Sequence, residues 1–208
     1  GYSYTMVAGD VDDGDELTYT AQALPGWLTF DGATTISGTP TNDNVGDHSV
    51  VLVVTDNSGA TAEQSFIISA SNTNDAPVFT STPTTSAVED AGYSYTAAAS
   101  DIDVGDNLTY AAPTLPGWLT FDVATQILSG TPLNDDVGTQ EVVLSVTDLE
   151  GATAGQLFTI SVSNTNDAPV FTSVPIEEAT EDTGYSYTMV AGDVDDGDEL
   201  TYTAQALP

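Results

Sequence analysis

The sequence predicts an all-β fold built from tandem antiparallel Greek-key β-sandwiches. Three observations carry this: the chain repeats itself, its apolar residues alternate with period two in short runs, and Gly, Pro, Asn and Asp separate those runs. GYSYT starts at Gly1, Gly92 and Gly184; LPGWLTFD starts at Leu24 and Leu115; SGTP starts at Ser37 and Ser129; NTNDAPVFT starts at Asn72 and Asn164. Residues 1–25 are identical to residues 184–208. Two alternating modules therefore make up the larger unit, and the chain is expected to be a slice of a longer array.

Asn-Asp-Ala-Pro disfavours helix and removes a backbone donor, so the boundaries fall at the two NTNDAP segments. This phasing gives a module at 1–74 lacking its first strand, a complete module at 75–166, and the opening part of a third at 167–208. In the complete module the runs 76–82, 93–99, 107–113, 118–122, 126–130, 141–148 and 156–163 are rich in β-formers and read as seven strands. The first two repeats differ in length by one residue, between Asp31 and Ser37 against Asp122 and Ser129, where a turn can absorb it.

Charge narrows the function. The 208 residues include 32 Asp and Glu, no Lys or Arg, and one His, for a formal charge of -32. No side-chain cation balances these carboxylates, and two of them about 4 Å apart repel by roughly 1 kcal/mol even in water. Nucleic-acid binding needs Lys or Arg at phosphates and is excluded. Disorder is countered by 40% hydrophobic residues set in alternating runs. No run is long and apolar enough for membrane insertion, and there is no Cys for a disulfide or a nucleophile.

The acidity collects in three recurring places. DVDDGDELTY begins at Asp10 and Asp193 and becomes DIDVGDNLTY at Asp101; NTND forms each linker; VTD ends a strand at Asp56 and at Asp148. Carboxylates at i and i+2 beside a Gly turn can aim several oxygens at one hard cation, and calcium takes 6 to 8 oxygen ligands. Asp-Gly hairpin turns that bond their own backbone are the plainer alternative for any one loop. Three acidic elements recurring in step favour the metal.

Taken together, LPGWLTFD, SGTP, VTDLEGATA and NTNDAPVF resemble the dystroglycan-type cadherin-like repeat of long bacterial surface proteins, also described as Ig-like, over nearly the whole chain. The resemblance implies a cadherin-like calcium scheme at each linker. Under that scheme VEDAGYSY makes Glu89 a candidate ligand, and the equivalent Glu181 another. PLNDDVG contributes Asn134 and Asp136, and PTNDNVG the weaker pair Asn42 and Asn44. The linkers offer Asn72, Asn74 and Asp75, then Asn164, Asn166 and Asp167. The Asp-x-Asp pairs are Asp10 with Asp12, Asp101 with Asp103, and Asp193 with Asp195, and the late aspartates are Asp56 and Asp148. Junction one would draw on Asn42, Asn44, Asn72, Asn74, Asp75, Asp101, Asp103 and Asp148; junction two on Glu89, Asn134, Asp136, Asn164, Asn166, Asp167, Asp193 and Asp195. The linkers are shorter than a cadherin's, and Asn replaces several carboxylates, which implies fewer than three ions per junction.

Function is expected to be an extracellular, calcium-rigidified spacer of a fibre, stalk or giant adhesin, with neighbouring copies of the repeat as partners. The alternative is a carbohydrate-binding module adhering to polysaccharide, for which Trp27 and Trp118 would need to stand exposed; a packing role suits their alternation with Leu and Phe better. Tyr2, Tyr4, Tyr93 and Tyr95 pose the same choice. His48 reads as a surface residue in a turn, Asn107-Leu-Thr is a glycosylation sequon, and with a single His no Ser-His-Asp set arises. Catalysis is not expected.

Overall fold

The computed structural model describes residues 1–12, 14 and 16–205; Asp13, Asp15 and the end at 206–208 lie outside the described residues. Two compact units result, one of Gly1–Asp75 with Ile102–Gly105, the other of Ala76–Asp101 with Asp106–Pro208.

In the first unit β1 (Tyr2–Thr5), β3 (Leu28–Phe30) and β4 (Thr35–Gly38) form one antiparallel sheet in the order β1-β4-β3. β2 (Thr18–Ala23), β5 (Gly46–Thr55) and β6 (Thr61–Ala70) form another, ordered β2-β5-β6. Alternation sends Ile36, Val50, Leu52 and Leu28 inward, where they make a core with Met6.

The second unit repeats this plan and adds the short strands β7 (Val78–Phe79), β8 (Ser86–Val88) and β10 (Ala99–Ser100). β7 pairs with β10, and β8 pairs in parallel with β15 (Thr153–Ser163). β9 (Tyr93–Thr96), β12 (Leu119–Asp122) and β13 (Ile127–Gly130) form one sheet. β11 (Thr109–Thr114), β14 (Gly138–Thr147), β15 and β8 form the other. Leu128, Val142, Leu144 and Ile160 are fully enclosed between them. Further along, β16 (Val170–Phe171) pairs with β17 (Ala191–Gly192).

All seven expected strands of the complete module are present. The sequence reading missed β8, whose residues Ser86–Val88 lack a strong pattern, and two 3-10 turns at Asn42–Asn44 and Asn134–Asp136. The length difference is absorbed as expected. Gly32 (φ 81°) takes the left-handed position in the shorter β3–β4 turn, and Gln126 (φ 57°) in the longer β12–β13 turn.

Trp27 and Trp118 pack against their cores, edge-on to Tyr2 and Tyr93 at 6.2 and 5.7 Å. SGTP and GWLTF meet here: a Cβ on Gly130 would lie 1.9 Å from the Trp118 carbonyl oxygen, so only Gly fits. Tyr93 and Tyr95 are buried, which makes their role packing. His48 departs from expectation. It lies on β5 rather than in a turn, half-buried, with Nε2 2.6 Å from Asn44 O and its ring 5.7 Å from Trp27. Gln140 makes the matching bond to Asp136 O at 2.9 Å, so both residues pin a 3-10 turn to the following strand.

Candidate metal centre

The second unit holds two carboxylate groups. In each, one ligand oxygen from every member lies within 4.8 Å of the others. One comprises Asp193, Asp195 and Asp198, within a single loop. Local geometry explains its shape: Asp195 N donates to Asp193 Oδ1 at 3.0 Å, and Gly197 (φ 97°) turns the chain so that Asp198 comes back. Asp195 is only 6% exposed. Its Oδ2 accepts Asp167 N at 2.6 Å, while its Oδ1 is shielded from solvent with no hydrogen-bond partner among the described residues.

The other group comprises Glu89, Asp90 and Asp167. Glu89 is 2% exposed and follows β8, and its Oε2 accepts Thr165 N at 2.9 Å. Asp90 sits at φ 60°, anchored by its N–H to Pro132 O at 2.9 Å. Asp167 joins the two groups, lending its carboxylate to one and its N–H to the other. Asn134 also reaches this region, donating Nδ2 to Val194 O.

In the first unit the corresponding linker residue, Asp75, donates N–H to Asp103 Oδ2 at 2.7 Å. Asn42 Nδ2 bridges Asp75 Oδ2 at 3.0 Å and Asp103 Oδ1 at 3.1 Å. With no cationic side chain in the protein, this amide is the donor that eases the two carboxylates' repulsion.

Other candidates serve the backbone. Asn44 Oδ1 accepts Thr41 N, and Asp136 Oδ2 accepts Leu133 N, so both cap their 3-10 turns. Asp56 Oδ1 accepts Ser58 N and Ala60 N, and Asp148 Oδ1 accepts Gly151 N and Ala152 N. Asp10 and Asp56 line one hollow of about 180 Å³, and Asp10 Oδ1 accepts Asp12 N at 3.0 Å. Asn72, Asn74, Asn164, Asn166 and Glu181 are exposed, and Asn166 Nδ2 donates to Asp167 O. Sequence reasoning overlooked Asp90 and Asp198. Asp198 was legible as the third acid of D-x-D-x-G-D; Asp90 becomes visible only through its left-handed backbone.

Tandem β-sandwich modules with acidic loops at their linkers define a cadherin- and Ig-like repeat protein. The chain belongs to the family described as Putative Ig domain (He_PIG), whose model matches residues 1–71 and 76–163. It is 32% identical over 142 residues to a protein named "Serine-rich adhesin for platelets" from Staphylococcus aureus (strain MRSA252), covering 65% of this chain and 10% of the adhesin. It thus spans about a tenth or less of these curated relatives' length. Among solved structures it resembles human CDH23 EC21-23 (TM-score 0.62, 20% identity, 93% of this chain and 78% of that one). Mouse Cadherin-23 EC22-24 is similar (TM-score 0.61, 22% identity, 93% and 71%). These likenesses show the fold. The chain is a tandem-repeat region homologous to part of a bacterial surface adhesin.

Proposed function

We propose that this chain is a calcium-stiffened spacer of a cell-surface adhesin or fibre, with modules at 1–74, 75–166 and 167–208, and that it performs no catalysis. One observation carries the reading: Asp195 Oδ1 is a buried carboxylate oxygen without a partner among the described residues, beside Asp193 and Asp198, in a protein without Lys or Arg. Burying an ionised carboxylate costs several kcal/mol unless a counter-charge is supplied. A divalent ion supplies it, and an all-oxygen donor set suits calcium.

The residues present fit such an ion. Asp193, Asp195 and Asp198 would hold one; Glu89, Asp90 and Asp167 would hold another, with Asp167 common to both settings. Bound calcium would cancel charge at the linker and fix the backbone of residues 164–167, limiting bending between successive sandwiches. At 10 mM calcium and a dissociation constant of about 0.1–1 mM, each site contributes roughly 1.4–2.7 kcal/mol. The homology to an adhesin's repeat region supports the surface location. Trp27 and Trp118 are packed on their cores, which favours the spacer over the polysaccharide-binding reading.

Small-angle scattering of the full chain tests this. The expected result is a narrower spread of dimensions in calcium than in chelator, abolished by Asp193→Asn with Asp195→Asn. Identical profiles in both buffers would sink the proposal.

A further inference from the structure

β2 and β11 are matching strands that border their sheets in the same way, yet only β11 is closed to a further strand. We infer that the outer edge of β2 is a self-pairing surface, and that its occupant is β2 of a second copy of this chain, running antiparallel.

Among the described residues each strand pairs on one side alone, β2 with β5 and β11 with β14. In the second unit β7 pairs with β10 and β8 with β15, so neither lies beside β11. The open edge thus belongs to the plan of the complete module.

Such an edge presents free N–H and C=O groups that another strand can take up, and a proline on it prevents this. β11 reads TYAAPT, with Pro113 exposed. β2 reads TYTAQA and carries Gln22 at the matching position, also exposed. Both ladders shift register here, between Ala21 and Ala23 and between Ala111 and Thr114, so the proline is the difference. TYTAQA returns at Thr201, which ties the missing proline to one module type.

Charge selects the occupant and its direction. β2 contains no acid, whereas β5 and β6 carry Asp47 and Glu63 and β12 ends on Asp122. A cationic partner would be drawn to the acidic loops; an uncharged edge suits a strand like itself. Acids crowd one end of β2, in the run Asp10–Glu16, while its other end leads into LPGW. Parallel pairing would set two Glu16 residues about 5 Å apart. Antiparallel pairing centred on Thr20 and Ala21 sets Glu16 opposite Pro25 of the second copy. The two acidic ends then lie roughly 30 Å apart, about three Debye lengths in ordinary buffer. Thr20 faces Ala21 and Thr18 faces Ala23, small side chains that let the backbones meet. Tyr19 OH accepts Ala8 N at 3.1 Å and holds the strand in place. The edge meets its own copy, as a two-fold contact requires, and two three-stranded sheets become one continuous sheet.

Sedimentation velocity of the full chain in chelator tests this, independently of the calcium reading. Average mass is expected to rise with concentration toward a dimer. The rise should be steeper at high sodium chloride, which screens repulsion between copies of charge -32. Gln22→Pro copies Pro113, a residue this strand position already accepts in the second unit, and is expected to weaken dimerisation about tenfold. Amides of Thr18–Ala23 are expected to exchange more slowly at high protein concentration in the parent but not in the variant. A parent that is monomeric at every concentration and salt overturns the inference. So does dimerisation that Gln22→Pro leaves unchanged, or that slows exchange elsewhere but not in β2. Pro113→Gln is expected to open the second edge and carry the mass beyond a dimer; an unchanged mass overturns the closing role of Pro113 alone.

Discussion

Asp195 illustrates how one side chain reads differently with and without an ion. Asn at 195 keeps an oxygen to accept Asp167 N but removes a charge from beside Asp193 and Asp198. Thermal unfolding of Asp195→Asn is therefore expected to show higher stability than the parent in chelator and lower stability in calcium, by about 1–3 kcal/mol in the latter. A variant less stable in both conditions would mean the aspartate is merely structural. Gly130 is simpler: Ala there would place Cβ against the Trp118 carbonyl, and a denaturant titration should show a loss of at least about 3 kcal/mol. Tyr93 gives a pH signature. Burial, then the neighbouring Tyr95, pushes its phenol up to about 12. The fold favours the neutral ring, so this stability is complete below pH 10 and is lost as pH rises through about 12. Alkaline unfolding followed by circular dichroism should be less steep between pH 10 and 12 in Tyr93→Phe. Alternation and the repeated Gly-Trp pairing made the core legible from sequence. The left-handed backbone of Asp90 and the half-buried ring of His48 were not, because both depend on contacts distant in sequence.

At the scale of elements, the β-strands follow period-two burial closely: β14 and β15 alternate along most of their length. Their starts lie ahead of expectation because Gly138, Thr139 and Thr153 pair across the sheet upstream of the apolar alternating runs. The turns depend on carboxylates used as backbone acceptors. Asp31 takes N–H groups from Ala33, Thr34 and Thr35, and Asp122 takes those of Ala124 and Thr125. Backbone hydrogen bonds, led by Thr35 and Ala124 respectively, hold both acids below their usual value. The charged form is the one the fold favours, so these turns contribute above about pH 3.8 and lose that contribution as pH falls through the lower folded values. Nuclear magnetic resonance titration should find both aspartates protonating at lower pH than an exposed aspartate. Equal titration would mean the turn bonds are broken in solution. The same habit explains why several acidic residues that looked like ligands, Asp56 and Asp136 among them, spend an oxygen on their own turn. Spacing alone does not separate a turn-maker from a ligand; burial and closure of the loop do.

For the whole molecule, the governing fact is a chain of 32 acids and no Lys or Arg that still builds two well-filled cores. The cores were readable because their pattern is local. Carboxylate grouping was only partly readable: the family resemblance set Glu89 and Asp167 at one junction, but Asp90 joins them through a backbone turn that sequence spacing does not reveal. Stability should accordingly depend on the ion more than on ionic strength, because sodium screens charge without filling an oxygen-lined site. The most direct measurement is the thermal midpoint of the full chain in 10 mM calcium against chelator at matched ionic strength. A rise of about 3–10 °C is predicted from one occupied site of millimolar or tighter affinity. Coincident midpoints would contradict the claim that these carboxylate groups hold a divalent ion.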